Sequence, residues 1–307
     1  MNNLICIAGP TASGKTALSI ALAKELDAEI VSCDSMQVYR RMDIGTAKPT
    51  LEERAGIPHH MLDVAEPDED FSVSRYCRTA TPIVDDILSR GKTAIVVGGT
   101  GLYMDSLIKG NDFAPFPSTG MREMLEAKPI EEVFAQLQSV DPEAAARLHL
   151  SDRKRIIRAM EVYLETGITI SEHNRRTQLI PPRYTPVWFA LEDENRKDLY
   201  DRIDRRVDLM LEQGLLDEVR SILASGISPK CTAMQAIGYK EFTSALAGHT
   251  TVAEAAAQVQ QSSRHYAKRQ LTWFRRNPTI HWLRRGPGMG TEEILTQARQ
   301  ILQENDK

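Results

Sequence analysis

Cysteine is scarce in this chain. Four residues in 307 (Cys6, Cys33, Cys77 and Cys231) lie scattered, with no CxxC pair. That argues against a disulfide or zinc framework and favours reduced thiols in a cytoplasm. Cys6 and Cys33 fall inside apolar runs and read as small buried hydrophobes. No apolar run approaches the length of a membrane span, and no basic segment leads into a long apolar stretch near Leu4, so neither a membrane anchor nor a secretory signal is expected. Internal repeats and low-complexity tracts are absent too. A net charge of −4 argues against a wholesale polyanion binder but permits a local basic patch. What is present is ordinary globular composition: 42% hydrophobic and 26% charged, in a chain long enough for one large domain or two smaller ones. A cytoplasmic monomer is the expectation.

Short β-branched runs alternate with helical patterns. Leu4–Ala8, Glu29–Cys33 and Thr93–Val97 read as strands, and Thr16–Leu26 and Ser74–Arg90 as helices. Strand, helix, strand in this rhythm predicts a parallel sheet covered on both faces. Near Ala114 the pattern changes. A stretch with Pro115 and Pro117 opens a region, 114–183, that reads as wholly helical (131–140, 142–148, 153–166) and turns basic before Pro181-Pro182. Pro186–Leu191 returns as a strand, then come a helix over Arg196–Gln213, more helix, and a last strand at Ile280–Leu283. The expected fold is therefore α/β: a parallel sheet flanked by helices, formed by 1–113 and 184–307, with an inserted all-helical domain over 114–183.

Gly9-Pro10-Thr11-Ala12-Ser13-Gly14-Lys15-Thr16 matches GxxxxGK[ST] between a strand and a helix, which makes the expected parallel sheet P-loop NTPase-like. Backbone N–H groups in such a loop point at phosphate oxygens, and the helix N-terminus adds partial positive charge. Lys15 adds a full one, and the Thr16 hydroxyl is placed to ligate Mg²⁺. A motor or switch NTPase also needs an apolar strand ending in Asp to hold that metal. Thr93–Val97 ends instead in Gly98-Gly99-Thr100-Gly101, which leaves kinases and other group transferases.

The second strand runs into Asp34-Ser35-Met36-Gln37. Adjacent parallel strands release their C-terminal ends on one side, so Asp34 can face the P-loop, to hold a metal or to take a proton from an acceptor. It can equally cap a turn. The Gln37 amide can pair with a nucleobase edge, and Thr100 can donate to a phosphate oxygen. Positive charge concentrates twice: at Arg153–Arg158, which includes Lys154 and Arg155, and over Arg264–Arg285. The second stretch carries Lys268, Arg269, Arg275 and Arg276 with Tyr266, Trp273, Phe274 and Trp282 interleaved, and no acidic residue. Cations beside stacking surfaces suit unpaired RNA bases. Arg202 and Arg206, four apart, share a helix face and can reach a diphosphate, or pair with Asp201, Asp204 and Asp208.

With these residues assembled, the chain closely resembles the isopentenyl-tRNA transferase family. GPTASGKT at 9–16, DSMQVYR at 34–40, MDIGTAKP at 42–49, PHHMLD at 58–63, VGGTGLY at 97–103, IGYKE at 237–241 and KRQLTWFR at 268–275 run in family order over nearly the whole length. The family transfers a dimethylallyl group from dimethylallyl diphosphate to the exocyclic amine of adenosine 37 in tRNA, with Mg²⁺. The resemblance implies that Thr11–Thr16 bind the diphosphate and that Asp34 is the general base. It implies that Ser35, Met36, Gln37 and Thr100 contact tRNA, and that Thr100 with Arg202 or Arg206 steadies the diphosphate. It also implies that Lys154, Arg155, Arg158, Gln235, Gly238, Tyr239, Lys240, Lys268, Arg269, Gln270, Trp273 and Arg275 grip the anticodon stem–loop, assisted by Arg122. The stretch between Arg122 and Ile130 is shorter than the family usually has.

Overall fold

The computed structural model describes residues 3–110 and 120–305. The opening of the expected insertion at Ala114, Pro115 and Pro117 lies outside the described residues. The chain divides into two compact units, Met1–Gly110 with Arg183–Lys307, and Asn111–Pro182.

The larger unit is built on six parallel strands: β1 (Leu4–Ala8), β2 (Ala28–Ser32), β3 (His59–His60), β4 (Thr93–Val97), β5 (Val187–Asp193) and β6 (Ile280–Arg285). Their order is β3-β2-β4-β1-β5-β6. β1 pairs with β4 (Cys6 opposite Val96) and with β5 (Cys6 opposite Trp188). The chain moves to one side of β1 for β2 and β3 and to the other for β5 and β6. The strand order therefore reverses at β1, where a crevice opens outside the strands' carboxyl ends.

The sheet is buried on both faces, as its near-continuous apolar strands require. On one face Ile5, Ile7, Ile30, Ile95, Phe189 and Leu191 pack with Leu18 and Leu22 of α1 (Lys15–Leu26) and Ile294 of α13 (Thr291–Asn305). Near α2 (Val73–Ser89) and α3 (Gly101–Lys109), Tyr76 and Tyr103 stack with ring centroids 4.7 Å apart. The Tyr76 hydroxyl donates to the Ser32 carbonyl at 3.0 Å. The strand expected at Glu29–Cys33 is observed one residue earlier. Strand β3, two residues long, had no sequence signal.

The remaining helices of this unit are α9 (Arg196–Glu212), α10 (Leu215–Ala224), α11 (Tyr239–Leu246) and α12 (Val252–Phe274). Helix α12 starts in a capping box: the Thr251 hydroxyl accepts from Glu254 N at 3.2 Å, and the Glu254 carboxylate accepts from Thr251 N at 2.9 Å. It packs on α9, where Leu199, Ile203 and Ala267 form a cluster with Ala12 of the glycine-rich loop against it.

The smaller unit is helical: α4 (Met121–Glu126), α5 (Ile130–Val140), α6 (Pro142–Ala145), α7 (Arg153–Thr166) and α8 (Ile170–Gln178). Leu125, Val133, Leu137, Ile156, Ile157 and Met160 make its core. Asp141 is buried and accepts from Ala144 N and Ser171 N, both at 3.0 Å, tying α6 to α8. Among the described residues no helix is long and apolar enough to cross a membrane.

Candidate active site

A cavity of about 380 Å³ lies at the carboxyl end of the sheet, lined among others by Lys15, Thr16, Asp34, Arg206, Tyr266 and Gln270. Lys15, Thr16 and Arg206, expected at a phosphate, and Asp34, expected to face them, come from distant parts of the sequence and line one cavity.

The loop from Gly9 to Thr16 turns through three positive-φ residues, Gly9 (φ 146°), Ala12 (φ 60°) and Gly14 (φ 91°), the last at the N-cap of α1. Gly14 suits a conformation that side chains rarely adopt, and the Arg285 guanidinium occupies the space that a Cβ there would need. The Lys15 ammonium donates to the Pro10 carbonyl at 2.7 Å. Burial and the nearby Arg206 charge lower its pKa to about 7, with Asp34 opposing them. Thr16 is exposed and lines the cavity.

Asp34 does cap its turn: Oδ1 accepts from Met36 N at 2.9 Å and Gln37 N at 3.3 Å. It also lines the cavity, so the two readings of this residue are compatible. Thr100 braces the same segment, its hydroxyl oxygen accepting from Ser35 N at 3.0 Å. The Tyr266 phenol lies near Thr100, and burial followed by the charge of Asp34 pushes it up to about 12. That tyrosine stood in the sequence only as one of several interleaved aromatics. Its position four residues before Gln270 on one helix is the signal that places it at the site.

The two arginines of α9 separate. Arg206 lines the cavity, with Nη1 3.4 Å from the Thr11 hydroxyl, and burial lowers its pKa. Arg202 is instead held by the Asp193 carboxylate at 2.7 and 2.6 Å and donates to the Ala12 carbonyl at 3.0 Å. It shapes the loop's back. The acidic neighbours go elsewhere: Asp201 to Lys197, Asp204 to Arg264 and Asp208 to Gln260.

Several residues expected at tRNA are committed to protein. The Gln37 amide accepts from the Ser32 hydroxyl and donates to the Thr46 and Ala47 carbonyls, at 3.0, 3.1 and 3.2 Å. It ties down the Gly45–Lys48 segment with both amide hydrogens, while the side chain also lines the cavity. Tyr239 is fully buried, with its hydroxyl on Glu218 at 2.5 Å. Glu218 also accepts from the N–H groups of Asp43, Ile44 and Gly45. Gly238 is buried, its N–H donating to Glu241 at 2.8 Å. Gln270 is 5% exposed, its amide bonded to Thr11 N and the Gly99 carbonyl. Trp273 donates to Asp105 at 2.9 Å. Sequence pattern alone could not separate these from surface residues, because hydrogen-bonding side chains serve either purpose.

Others do face solvent. Gln235, Lys240, Lys268, Arg269 and Arg275 are exposed, and Ser35 and Met36 line the cavity. Arg269 lies over the Tyr266 ring at 5.5 Å, and Arg275 pairs with Glu192. In the helical unit, Lys154 and Arg155 are exposed, with Arg155 3.5 Å from Asp152. Arg122 and Arg158 converge on Glu161 at 3.1 and 2.7 Å.

A parallel sheet with a glycine-rich loop after its reversal strand, a lysine and an arginine over that loop, and a carboxylate across the cavity defines a phosphate-gripping α/β protein. Its family follows from comparison. The IPP transferase family model matches residues 37–277, and the isopentenyl transferase model matches residues 2–68. The chain belongs to the IPP transferase family. It is 48% identical over 280 residues to tRNA dimethylallyltransferase 1 of Citrifermentans bemidjiense, covering 91% of each chain. It is 43% identical to tRNA dimethylallyltransferase of Acetivibrio thermocellus over 98% of each. Among solved structures, the full-length tRNA isopentenylpyrophosphate transferase of Bacillus halodurans matches with a TM-score of 0.75 at 40% identity, over 99% of this chain and 96% of that one. A eukaryotic dimethylallyltransferase acting on tRNA matches with a TM-score of 0.85 at 31% identity, over 98% of this chain and 78% of that one.

Proposed function

We propose that this protein transfers the dimethylallyl group of dimethylallyl diphosphate to the exocyclic 6-amino group of adenosine 37, in the anticodon stem–loop of tRNA, and releases diphosphate. The relatives' names supply the reaction. The observation that carries it onto these residues is the placement of Asp34 across one cavity from Lys15 and Arg206.

The adenine amine is a weak nucleophile because its lone pair is delocalised into the ring. As its nitrogen bonds to the first prenyl carbon, the bond from that carbon to the diphosphate oxygen breaks, and the amine proton passes to the Asp34 carboxylate. General-base help of this kind contributes about 10²–10⁴-fold. The leaving diphosphate gathers negative charge against the Lys15 ammonium, the loop N–H groups and Arg206, which is the electrostatic part of the catalysis. Thr100, bonded to Ser35 N, holds the Asp34 turn in register with the loop. A loop base flips out at lower cost than a paired one.

Mg²⁺ would be held through the Thr16 hydroxyl. Among the described residues no group of three or more His, Cys, Asp or Glu could cage a metal. That fits a cation which takes most of its ligands from water and phosphate oxygens. When bound, it would neutralise charge on the diphosphate. Lys268, Arg269, Arg275, Lys240 and Gln235 are the exposed candidates for RNA on the larger unit, and Lys154 and Arg155, with Arg122 and Arg158, on the smaller. A cytoplasmic monomer is part of the same reading.

The test is parallel incubation of tRNA with labelled dimethylallyl diphosphate or with ATP labelled in its terminal phosphate. Label should enter tRNA from the prenyl donor alone, as an isopentenyladenosine. Phosphate transfer from ATP would replace this reading with a kinase.

A further inference from the structure

Helix α12 presents three residues of one face, Tyr266, Gln270 and Trp273, to the turn after β4. Their spacing of four and three residues is that of a single helical stripe. Tyr266 lies near Thr100 and lines the cavity. Gln270 donates from Nε2 to the Gly99 carbonyl at 3.0 Å. Trp273 packs on Gly101, where any Cβ would overlap its indole, and donates to Asp105. Gly99 is equally constrained, because a Cβ there would overlap the Gln270 amide nitrogen. The other side of the same helix exposes Lys268 and Arg275, while Arg269, also exposed, lies over the Tyr266 ring at the mouth of the cavity.

Gln270 does a second thing from the same amide: Oε1 accepts from Thr11 N at 2.9 Å. One buried side chain thus spans the two loops that serve opposite substrates. The Thr11 loop grips the diphosphate, and the Gly99–Gly101 turn fixes the Asp34 segment. Both halves of the amide need these partners, since a buried polar group left unpaired is costly. The bond also withdraws the Thr11 N–H from the donors open to an anion and fixes the position from which the next N–H groups point.

We propose that Gln270 is a positioning residue that sets the phosphate loop against the Thr100 turn, and that through it α12 couples RNA binding on its outer face to diphosphate binding in the cavity. The inference rests on the two-substrate reading above. RNA held on the outer face favours the docked position of α12. Docking fixes Gln270, and the loop it orders meets diphosphate with less conformational freedom left to lose. Such coupling is reciprocal, so each ligand tightens the other by one factor.

The experiment is calorimetric binding of inorganic diphosphate with Mg²⁺ to the full-length protein, with and without an anticodon stem–loop RNA. The wild type should bind diphosphate about tenfold more tightly when RNA is present, within the usual range for coupled sites. Gln270→Ala and Gly99→Ala attack the same contact from opposite sides, and each should bring that ratio toward one. The double variant should be no worse than either single, because truncating Gln270 leaves room for the new Cβ at position 99; this is the non-additivity expected of residues in contact. Thermal unfolding confirms that each variant is folded. A merely structural role would weaken binding in the presence and absence of RNA alike and leave the ratio at its wild-type value, which overturns the proposal. So does a wild-type ratio of one. Failure of the wild type to bind either ligand overturns the two-substrate reading and the coupling together.

Discussion

At the scale of single residues the cavity sets two charges against each other. Asp34 holds its turn with one carboxylate oxygen, so replacing it by alanine removes a cap as well as a base. Asp34→Asn keeps an acceptor for the Met36 and Gln37 N–H groups and loses only basicity. Its prenyl transfer should fall by about 10²–10⁴-fold, the range of general-base catalysis, while RNA affinity in filter binding stays within about twofold. Normal turnover would place the base elsewhere. Lys15 gives a pH dependence. With its pKa lowered to about 7 by burial and Arg206, the ammonium is part-neutral at neutral pH, and a bound anion favours the charged form. Diphosphate binding should therefore take up a proton above pH 7 and weaken by up to about tenfold per unit as pH rises toward 9. For folding the sign is opposite. Below about 10.5 the unfolded chain protonates this lysine while the folded chain waits until about 7, so the group costs stability as pH falls through that window. Calorimetry in buffers of different ionisation enthalpy measures the proton uptake, and Lys15→Met should abolish it. The residue types were legible from sequence: the loop, Asp34 and Thr100 followed from their places after strands, and spacing offered Arg202 and Arg206 as a pair without telling which of them lines the cavity. Which hydrogen-bonding side chains turn inward was not. Gln37, Tyr239 and Gln270 are polar residues in motifs, and only the packing of segments far apart in sequence shows that their partners are protein.

At the scale of elements the sequence was read best where a run was long or β-branched and worst where it was short. β1 and β4 have the expected bounds. β3 is two residues that pair only because Ile30 and Val31 lie beside them, so nothing local marks it. Helix α12 shows both sides of this. Its basic and aromatic content was visible, but the inward stripe of Tyr266, Gln270 and Trp273 acquires meaning only against Gly99–Gly101. Because α12 carries both the stripe and the basic face, its N-terminal box matters to the whole site. Thr251→Ala removes the hydroxyl that accepts from Glu254 N and should cost about 0.5–2 kcal/mol in urea unfolding. Hydrogen exchange should quicken first in the opening turns of α12. A change confined to other helices would show that the box does not hold this end.

At the scale of the whole molecule, the net charge of −4 conceals a division of labour. From Arg264 to Arg285 there is no acidic residue, yet this stretch is not uniformly available to RNA. Arg264 pairs with Asp204, Arg275 with Glu192, and Arg285 turns onto Gly14. Lys268 and Arg269 are exposed on α12, with no carboxylate within ion-pair distance among the described residues. If these two neutralise phosphates, each contributes close to one unit to the slope of log affinity against log salt. Lys268→Ala with Arg269→Ala should flatten that slope by about two for an anticodon stem–loop and weaken binding at low salt more than at high. Arg275→Ala should change it less, since that guanidinium already shares its charge with Glu192. Titrations across a series of salt concentrations separate the cases. An unchanged slope in the double variant would move the RNA off this face of α12, and a loss for Arg275→Ala equal to theirs would mean that RNA displaces Glu192 on binding.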